Sequence, residues 1–521
     1  MAGSFLRTAA LYLMAFLLVH SQAGSHRVSA GTAVVDGSAH IAATGEDFIC
    51  ANLDWWPEEK CDYGTCSWGR TSILNLDLNS ILLKAVKAFS PLMLRLGGSL
   101  QDMVIYDTGN TEHHCRPFVE NDSELWGFSE GCLSMSRWDQ LNEFIQNAGA
   151  KYIFGLNALN GRVTMPDGSL GGPWNHANAA SLIRYTANKG YNITGWELGN
   201  ELSGKGWKAR INVAQYASDV KTLKSIIEWI YKGHLFKPLV IAPGGNFEAN
   251  WYSQLIHETE SSHSLDVVSH HLYTLGPGSD EHLVEKILEP SFLDRNVSTF
   301  RDLRDILRHA GTSATAWVSE SGGAYKSGRH LVTDAFASSF WYVDQLGKSA
   351  VYDTKTYCRQ TLIGGNYGLL NTHTFKPNPD YYSALLWHRL MGQKVLSTDF
   401  IGSKMIRAYA HCARESKGLS IVFLNLDKTT TEQVEIQMKP GDQVQGGETA
   451  DETREEYHLK AEDGELHSQN VLLNGKILLA DSDGNIPILE PIKVDASKPI
   501  YVHPLSIVFA HIPSIHPPAC L

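Results

Sequence analysis

The strongest constraint on this fold is a rhythm between about residues 47 and 390, where short apolar runs alternate with longer amphipathic ones. Eight runs stand out: DFICANL, LMLRLGG, YIFGLNA, ITGWELGN, LVIAPGG, LDVVSHHLY, TAWVSESGG and AVYDTKTY. Their length and bounding residues read as buried strands. Intervening segments such as SRWDQLNEFIQNAG and NVAQYASDVKTLKSIIEWIY read as helices. Eight strand-helix units predict a closed (β/α)8 TIM barrel, with an open doubly wound sheet as the second arrangement. Past about residue 395 the pattern becomes strand, turn, strand: SIVFLNLD, EQVEIQM, NVLLNGKILL and PIYVHPLSIVFAHI predict a β-sandwich. Residues 31–44 also read as a strand that completes that sandwich. The expected α/β organisation is therefore a signal peptide over 1–23, an N-terminal sandwich strand over 24–45, a catalytic barrel over 46–392 and a C-terminal sandwich over 393–521.

The first 23 residues carry one basic residue, Arg7, an apolar core from Thr8 to Val19 and a small-residue Ser21-Gln22-Ala23 end. That is the pattern of a secretory signal peptide. It falls short of the roughly 20 apolar residues a membrane span needs, and no transmembrane segment is expected elsewhere. Sequons at Asn121, Asn192 and Asn296 suit an N-glycosylated product. Eight cysteines in such a compartment are expected mostly in pairs. The spacing suggests Cys61 with Cys66, Cys115 with Cys132, and Cys412 with Cys520. Cys50 and Cys358, both in apolar strand-like settings, read as buried free thiols. No C-x-x-C pair supports a zinc site, and no cofactor is expected.

A net charge of −12 speaks against nucleic-acid and densely sulfated partners, which require basic stripes. GNELSGKG approaches a phosphate loop, but Gly206 stands where the magnesium-binding hydroxyl would be. Neither a G-x-S-x-G elbow nor an HExxH helix is present.

In a barrel the C-terminal strand ends converge on one face. The polar residues at those ends are Asp54, Arg95, Asn157, Asn200, Glu201, His270, His271, Tyr273, Glu320 and Tyr367. Glu201 on the fourth strand and Glu320 on the seventh would face each other across the mouth. A facing carboxyl pair is the minimal machinery of glycoside hydrolysis. A single strand-end glutamate is more often a helix cap, so the pair carries the argument.

Five segments carry a family resemblance: LRLGGS at 94–99, IFGLNALNG at 153–161, WELGNE at 196–201, WVSESGGAY at 317–325 and GGNYGLL at 364–370. They resemble family 79 glycoside hydrolases, the heparanase and heparanase-like β-glucuronidases, most closely the plant branch. The resemblance implies a retaining, exo-acting β-glucuronidase in which Glu201 is the acid/base and Glu320 the nucleophile. It implies that Asn200 binds the sugar 2-hydroxyl, that His271 and Tyr273 form a pair beside the nucleophile, and that Asp54 and Ser99 hold the terminal sugar. Tyr367, together with the backbone following Tyr325, would receive the glucuronate carboxylate. Lys326 and Ser327 stand where animal heparanases have glycines, which puts that recognition in question. The segment between LRLGGS and IFGLNAL lacks the excised linker of those enzymes, so the chain is expected to work uncut. Glucuronic-acid-capped glycans or small glucuronides are the implied substrates, in the cell wall, another extracellular space or the vacuole. The competing functions are a catalytically silent glycan-binding paralogue and a related barrel glycosidase acting on neutral pentosides.

Overall fold

The computed structural model describes residues 27–109, 115–204, 206, 208–439 and 453–521. The expected signal peptide lies outside them. Among the described residues, no helix is long and apolar enough to cross a membrane.

Eight parallel strands close into a barrel in strict chain order: β2 (Ile49–Leu53), β3 (Met93–Leu96), β4 (Lys151–Leu156), β5 (Gly195–Leu198), β6 (Leu239–Asn246), β7 (Val267–Leu272), β8 (Thr315–Ser321) and β9 (Thr356–Arg359). Nearly every residue of these strands is buried, since helices cover the outside and packed side chains fill the inside. Local signals set the helices. Ser134 Oγ accepts from Arg137 N to cap the helix Met135–Ala148, which ends on Gly149 at φ 63°.

The last strand differs from its sequence reading. Ala350 and Val351 end the helix Phe336–Val351, and the strand begins only at Thr356. Fifteen successive buried residues make that helix look like strand over a short window, because apolarity on all sides erases the helical period.

A side-chain period of two sorts the barrel interior into layers. Cys50, Met93, Ile153, Ile241, Val267, Trp317 and Cys358 form an apolar floor. Two residues further along β3, β5 and β7 come Arg95, Glu197 and Ser269, all fully buried. Trp196 points the other way, into a cluster with Trp138 and Phe154 beneath the helix Met135–Ala148.

The floor overturns one cysteine reading. Cys50 and Cys358 are register partners on β2 and β9, and they are joined as a disulfide with a Cα–Cα distance of 4.1 Å. The strands were read as separate settings, but barrel closure brings the first and last into contact, and the bond staples that seam. The other disulfides link Cys61 to Cys66, Cys115 to Cys132 and Cys412 to Cys520.

Apart from three two-stranded pairs, the remaining strands among the described residues build an eleven-stranded sheet. The N-terminal strand β1 (Arg27–Ala43) stands third from one edge, pairing antiparallel with β10 (Met391–Ile401) and parallel with the strand Thr430–Met438. The sheet turns back on itself: Asn425 Nδ2, at the end of the strand Leu419–Asn425, donates to the Val502 carbonyl of the far edge strand Ile500–Val502. Ala33, Val35, Phe423, Val434, Val502 and Val508 pack into the sandwich core so enclosed.

Of the three sequons, Asn121 and Asn192 are exposed. Asn296 is 5% exposed and its Nδ2 donates to the buried Gln345 Oε1. The folded chain has no room for a glycan there, a correction that only the packing against the helix Phe336–Val351 could supply.

Candidate functional site

At the C-terminal mouth of the barrel, β5 breaks off at Leu198 and the chain turns through Gly199 (φ 71°) and Glu201 (φ 56°). A left-handed glutamate costs about 1–3 kcal/mol and persists only where its surroundings hold it. Here Glu201 N donates to the Gly244 carbonyl at 2.7 Å. Asn200 N donates to Asp102 Oδ2 at 2.8 Å, and Ala158 N binds the other oxygen of that carboxyl at 2.8 Å. Burial lifts the Asp102 carboxyl to about 7, against the pull of those two amide bonds.

Arg95 organises the layer below. Its Nε donates to Glu197 Oε2 at 2.6 Å, its Nη1 to Glu320 Oε2 at 2.9 Å and its Nη2 to Asn200 Oδ1 at 2.9 Å. Burial alone would weaken the guanidinium as an acid-base partner, yet the charges of Glu197 and Glu320 raise its pKa above the ordinary arginine value. Burial also acts on Glu197, but the Arg95 and His271 charges outweigh it and hold this carboxyl below the usual range. Ser269 Oγ donates to the other Glu197 oxygen at 2.8 Å. Glu197, whose role the sequence left open, is thus the buried counter-ion of Arg95.

Glu320 is the penultimate residue of β8 and is 7% exposed. Tyr273 Oη donates to its Oε1 at 2.6 Å, and burial together with the Glu320 charge keeps that phenol protonated by raising its pKa well above normal. His271 Nδ1 lies 2.9 Å from Glu201 Oε1 and 3.9 Å from Glu320 Oε2. Ligating atoms of Glu201, His271 and Glu320 all fall within 4.8 Å of one another. The set has metal-like spacing, but Arg95 and Tyr273 already satisfy the Glu320 carboxylate. A second such group, Asp107 with Cys115 and Cys132, offers no thiolate because the two cysteines are bonded to each other.

Asp54 follows β2 and is buried, accepting from Trp55 N at 2.6 Å and from Gln360 Nε2 at 2.7 Å. Burial first, and the Glu320 charge second, lift its carboxyl to about 7. Gly98 makes the space: any Cβ there would overlap the Asp54 carboxylate. Nearby, the Tyr367 ring is 4% exposed and bounded by Gly322, Gly328 and Gly365, where added Cβ atoms would stand 2.8–3.2 Å from it. Ser99 opens a short 3-10 turn beside this group and is half-buried.

The segment after β8 is less uniform. Tyr325 is 42% exposed, its carbonyl taken by Gly278 N, and Lys326 is exposed with Nζ 5.6 Å from the Tyr63 ring. Lys326, Ser327 and Gly328 have φ of 56°, 61° and 71°. Three left-handed residues in a row, two of them bearing a Cβ, are uncommon. The Ser327 hydroxyl, expected among the substrate contacts, is committed elsewhere: it donates to Asp62 Oδ2 at 2.6 Å and accepts from Trp68 Nε1 at 2.9 Å. The other collected strand-end residues serve structure. His270 faces outward against Phe247 and Phe300, and Asn157 bonds the backbone of its own loop and Val104. Arg95 was collected without a role, while Asp102, Gln360, Asp62 and Trp68 went unnoticed, having no strand-end signal.

Comparison with known proteins gives the family. The family model described as glycosyl hydrolase family 79, N-terminal domain, matches residues 30–347. Heparanase-like protein 3 of Arabidopsis thaliana is 51% identical, with 98% of each chain covered. Baicalin-beta-D-glucuronidase of Scutellaria baicalensis is 45% identical over 91% of this chain and 90% of its own. Among solved structures, an alpha-L-arabinofuranosidase from Thermotoga maritima superposes with a TM-score of 0.64 at 16% identity, covering 93% of this chain and all of that one, a likeness of fold.

Proposed function

This chain belongs to glycosyl hydrolase family 79 and is a glycoside hydrolase, and we propose that it is a retaining, exo-acting β-glucuronidase working through Glu201 and Glu320. The observation that carries the reading is the approach of the two carboxyl groups, with oxygens within 4.8 Å. Retaining enzymes place their carboxyls about 5–5.5 Å apart, too close for a water to sit between them and attack directly.

In the first step Glu201, protonated, delivers its proton to the glycosidic oxygen while a Glu320 oxygen bonds the anomeric carbon and the aglycone leaves as an alcohol. In the second, Glu201 takes a proton from water, the hydroxide oxygen bonds the same carbon, and Glu320 departs as carboxylate. Tyr273 and Arg95 donate to the two oxygens of Glu320 and hold its carboxyl in place for attack. His271 shares a proton position with Glu201 and orients it. Asn200, its carbonyl turned to Arg95, leaves its amide N–H free for the sugar 2-hydroxyl. Asp54, neutral on the acid side of about pH 7, can donate as well as accept toward sugar hydroxyls.

Recognition of the uronate is assigned to Tyr367 and the amides of the left-handed turn at 326–328, with Lys326 adding charge from above. The similarity to a plant β-glucuronidase supports this choice of sugar over a neutral pentose. Four disulfides support passage through an oxidising secretory compartment. A panel of 4-nitrophenyl glycosides tests the sugar, and proton NMR of the first-formed product tests retention. Glucuronide-selective release with a β-anomer is the expected result. Pentoside release, an α-anomer, or near-normal activity in Glu320→Ala would refute the reading.

A further inference from the structure

The turn Lys326–Gly328 does not hold its own shape. Two of its three left-handed residues carry a Cβ, at a cost of about 1–2 kcal/mol each, so the surroundings must supply the restraint. Asn366 N donates to the Ser327 carbonyl at 2.7 Å, and the side-chain restraint comes from one segment far away in sequence. Ser327 Oγ donates to Asp62 and accepts from Trp68 Nε1, which uses its hydrogen and a lone pair and makes the hydroxyl a strut. Asp62 lies in the stretch that Cys61–Cys66 closes and Trp68 follows it by two residues, and Asp62 is steadied in turn by Lys60 Nζ at 2.8 Å.

Trp68 also braces the other half of the receptor. Its indole, 1% exposed, stands edge-on to the Tyr367 ring with centroids 6.1 Å apart. A Cβ on Gly364 would strike the same indole at 2.7 Å. One buried side chain therefore touches both segments that are assigned to the uronate carboxylate.

We propose that Asp62 and Trp68 are specificity-determining positioning residues, which hold the 326–328 amides and Tyr367 at the separation a planar carboxylate requires. Selectivity for a uronic acid over a neutral hexose is then set by the segment from the Cys61–Cys66 loop to Trp68, whose Asp62 and Trp68 side chains act through Ser327 and Tyr367. This rests on the glucuronidase reading above.

The test is steady-state kinetics on 4-nitrophenyl β-D-glucuronide with Asp62→Ala, Asp62→Asn and Trp68→Phe. Asp62→Ala removes the acceptor of the Ser327 hydroxyl, Asp62→Asn retains one, and Trp68→Phe removes the N–H while keeping a ring against Tyr367. Loss of the charge-assisted hydrogen bond behind the receptor is expected to raise KM about tenfold in Asp62→Ala, and loss of the neutral indole bond about threefold in Trp68→Phe, with kcat changed by less than about twofold in both. Asp62→Asn should recover most of the loss. Melting temperatures are read alongside. Wild-type KM in both Asp62→Ala and Trp68→Phe overturns the proposal. So does an equal fall in kcat with no recovery in Asp62→Asn, because that is the signature of a structural role. Wild-type protein that releases no glucuronide removes the premise itself and overturns both readings, an outcome visible before any variant is made.

Discussion

Glu197 Oε2 sits 2.6 Å from Arg95 Nε, with both side chains fully enclosed in the barrel. Between this counter-ion and Glu320 the guanidinium is shared, so the charge of one carboxylate controls how strongly the other is held. Glu197→Gln keeps a hydrogen-bond acceptor and removes the charge. Breaking a buried ion pair costs about 3–5 kcal/mol, and the guanidinium is then left to Glu320 alone, which blunts it as a nucleophile. The expected outcome is a lower melting temperature together with a kcat at least about tenfold lower, since each 1.4 kcal/mol of barrier is a factor of ten. A variant with wild-type kcat would remove Glu197 from the account.

Asp54 predicts a pH effect whose sign is fixed by linkage. Its folded pKa of about 7 lies above the ordinary carboxylate value of 3.8. Between those values the unfolded chain has released a proton that the folded chain still holds, so this residue lowers stability as pH rises. Asp54→Asn lacks the titration. The melting temperature of the variant relative to wild type should therefore rise as pH goes from about 4 to 7, a comparison that cancels the other titrating groups. A difference independent of pH would show that Asp54 ionises normally.

His270 makes the opposite prediction. Burial, with the neighbouring His271 charge second, pushes its pKa down to about 3 from 6.5. Below pH 6.5 the unfolded chain takes up a proton that the folded chain refuses, so stability is lost as pH falls from 6.5 toward 3. His270→Phe, which suits the surrounding Phe247 and Phe300 rings, should lose less stability on acidification than wild type. Thermal melts at pH 4.5 and 7 decide it, and parallel losses in the two proteins would contradict the assignment.

The seam disulfide gives a fourth test. Cys50 and Cys358 are 308 positions apart, and a bond closing so long a loop stabilises by up to about 5 kcal/mol in the chain-entropy model. Cys50→Ala with Cys358→Ala should lower the denaturant midpoint while leaving KM in place, because the floor of the barrel is two layers below the mouth. An unchanged midpoint would mean that strand pairing alone holds the seam.

Peptide mapping of the protein from a eukaryotic secretory host tests the sequons. Occupancy is expected at Asn121 and Asn192, and none at Asn296, whose amide nitrogen is spent on Gln345. A glycan on Asn296 in folded, active protein would contradict the packing.

Much of the architecture was written locally. Eight apolar runs, a helix cap at Ser134 and a switch to strand-turn rhythm past residue 395 each depend on neighbours a few positions away, and such patterns survive in a linear reading. The same holds for the polar residues at strand ends, since a barrel sends every strand end to one mouth. The eighth strand was misplaced by six residues because a helix buried on all sides leaves no period to read.

The amino-acid sequence by itself determined which residue types stand at the mouth and on which strands, because side-chain alternation and chain order are local properties. Tertiary structure alone decided their partners. Cys50 meets Cys358 only when the barrel closes, Arg95 finds Glu197 across 102 positions, Ser327 is anchored 265 positions away at Asp62, and Asn296 is buried by a helix it precedes. Such pairings arise where strands and loops converge in space, and no spacing along the chain encodes that distance.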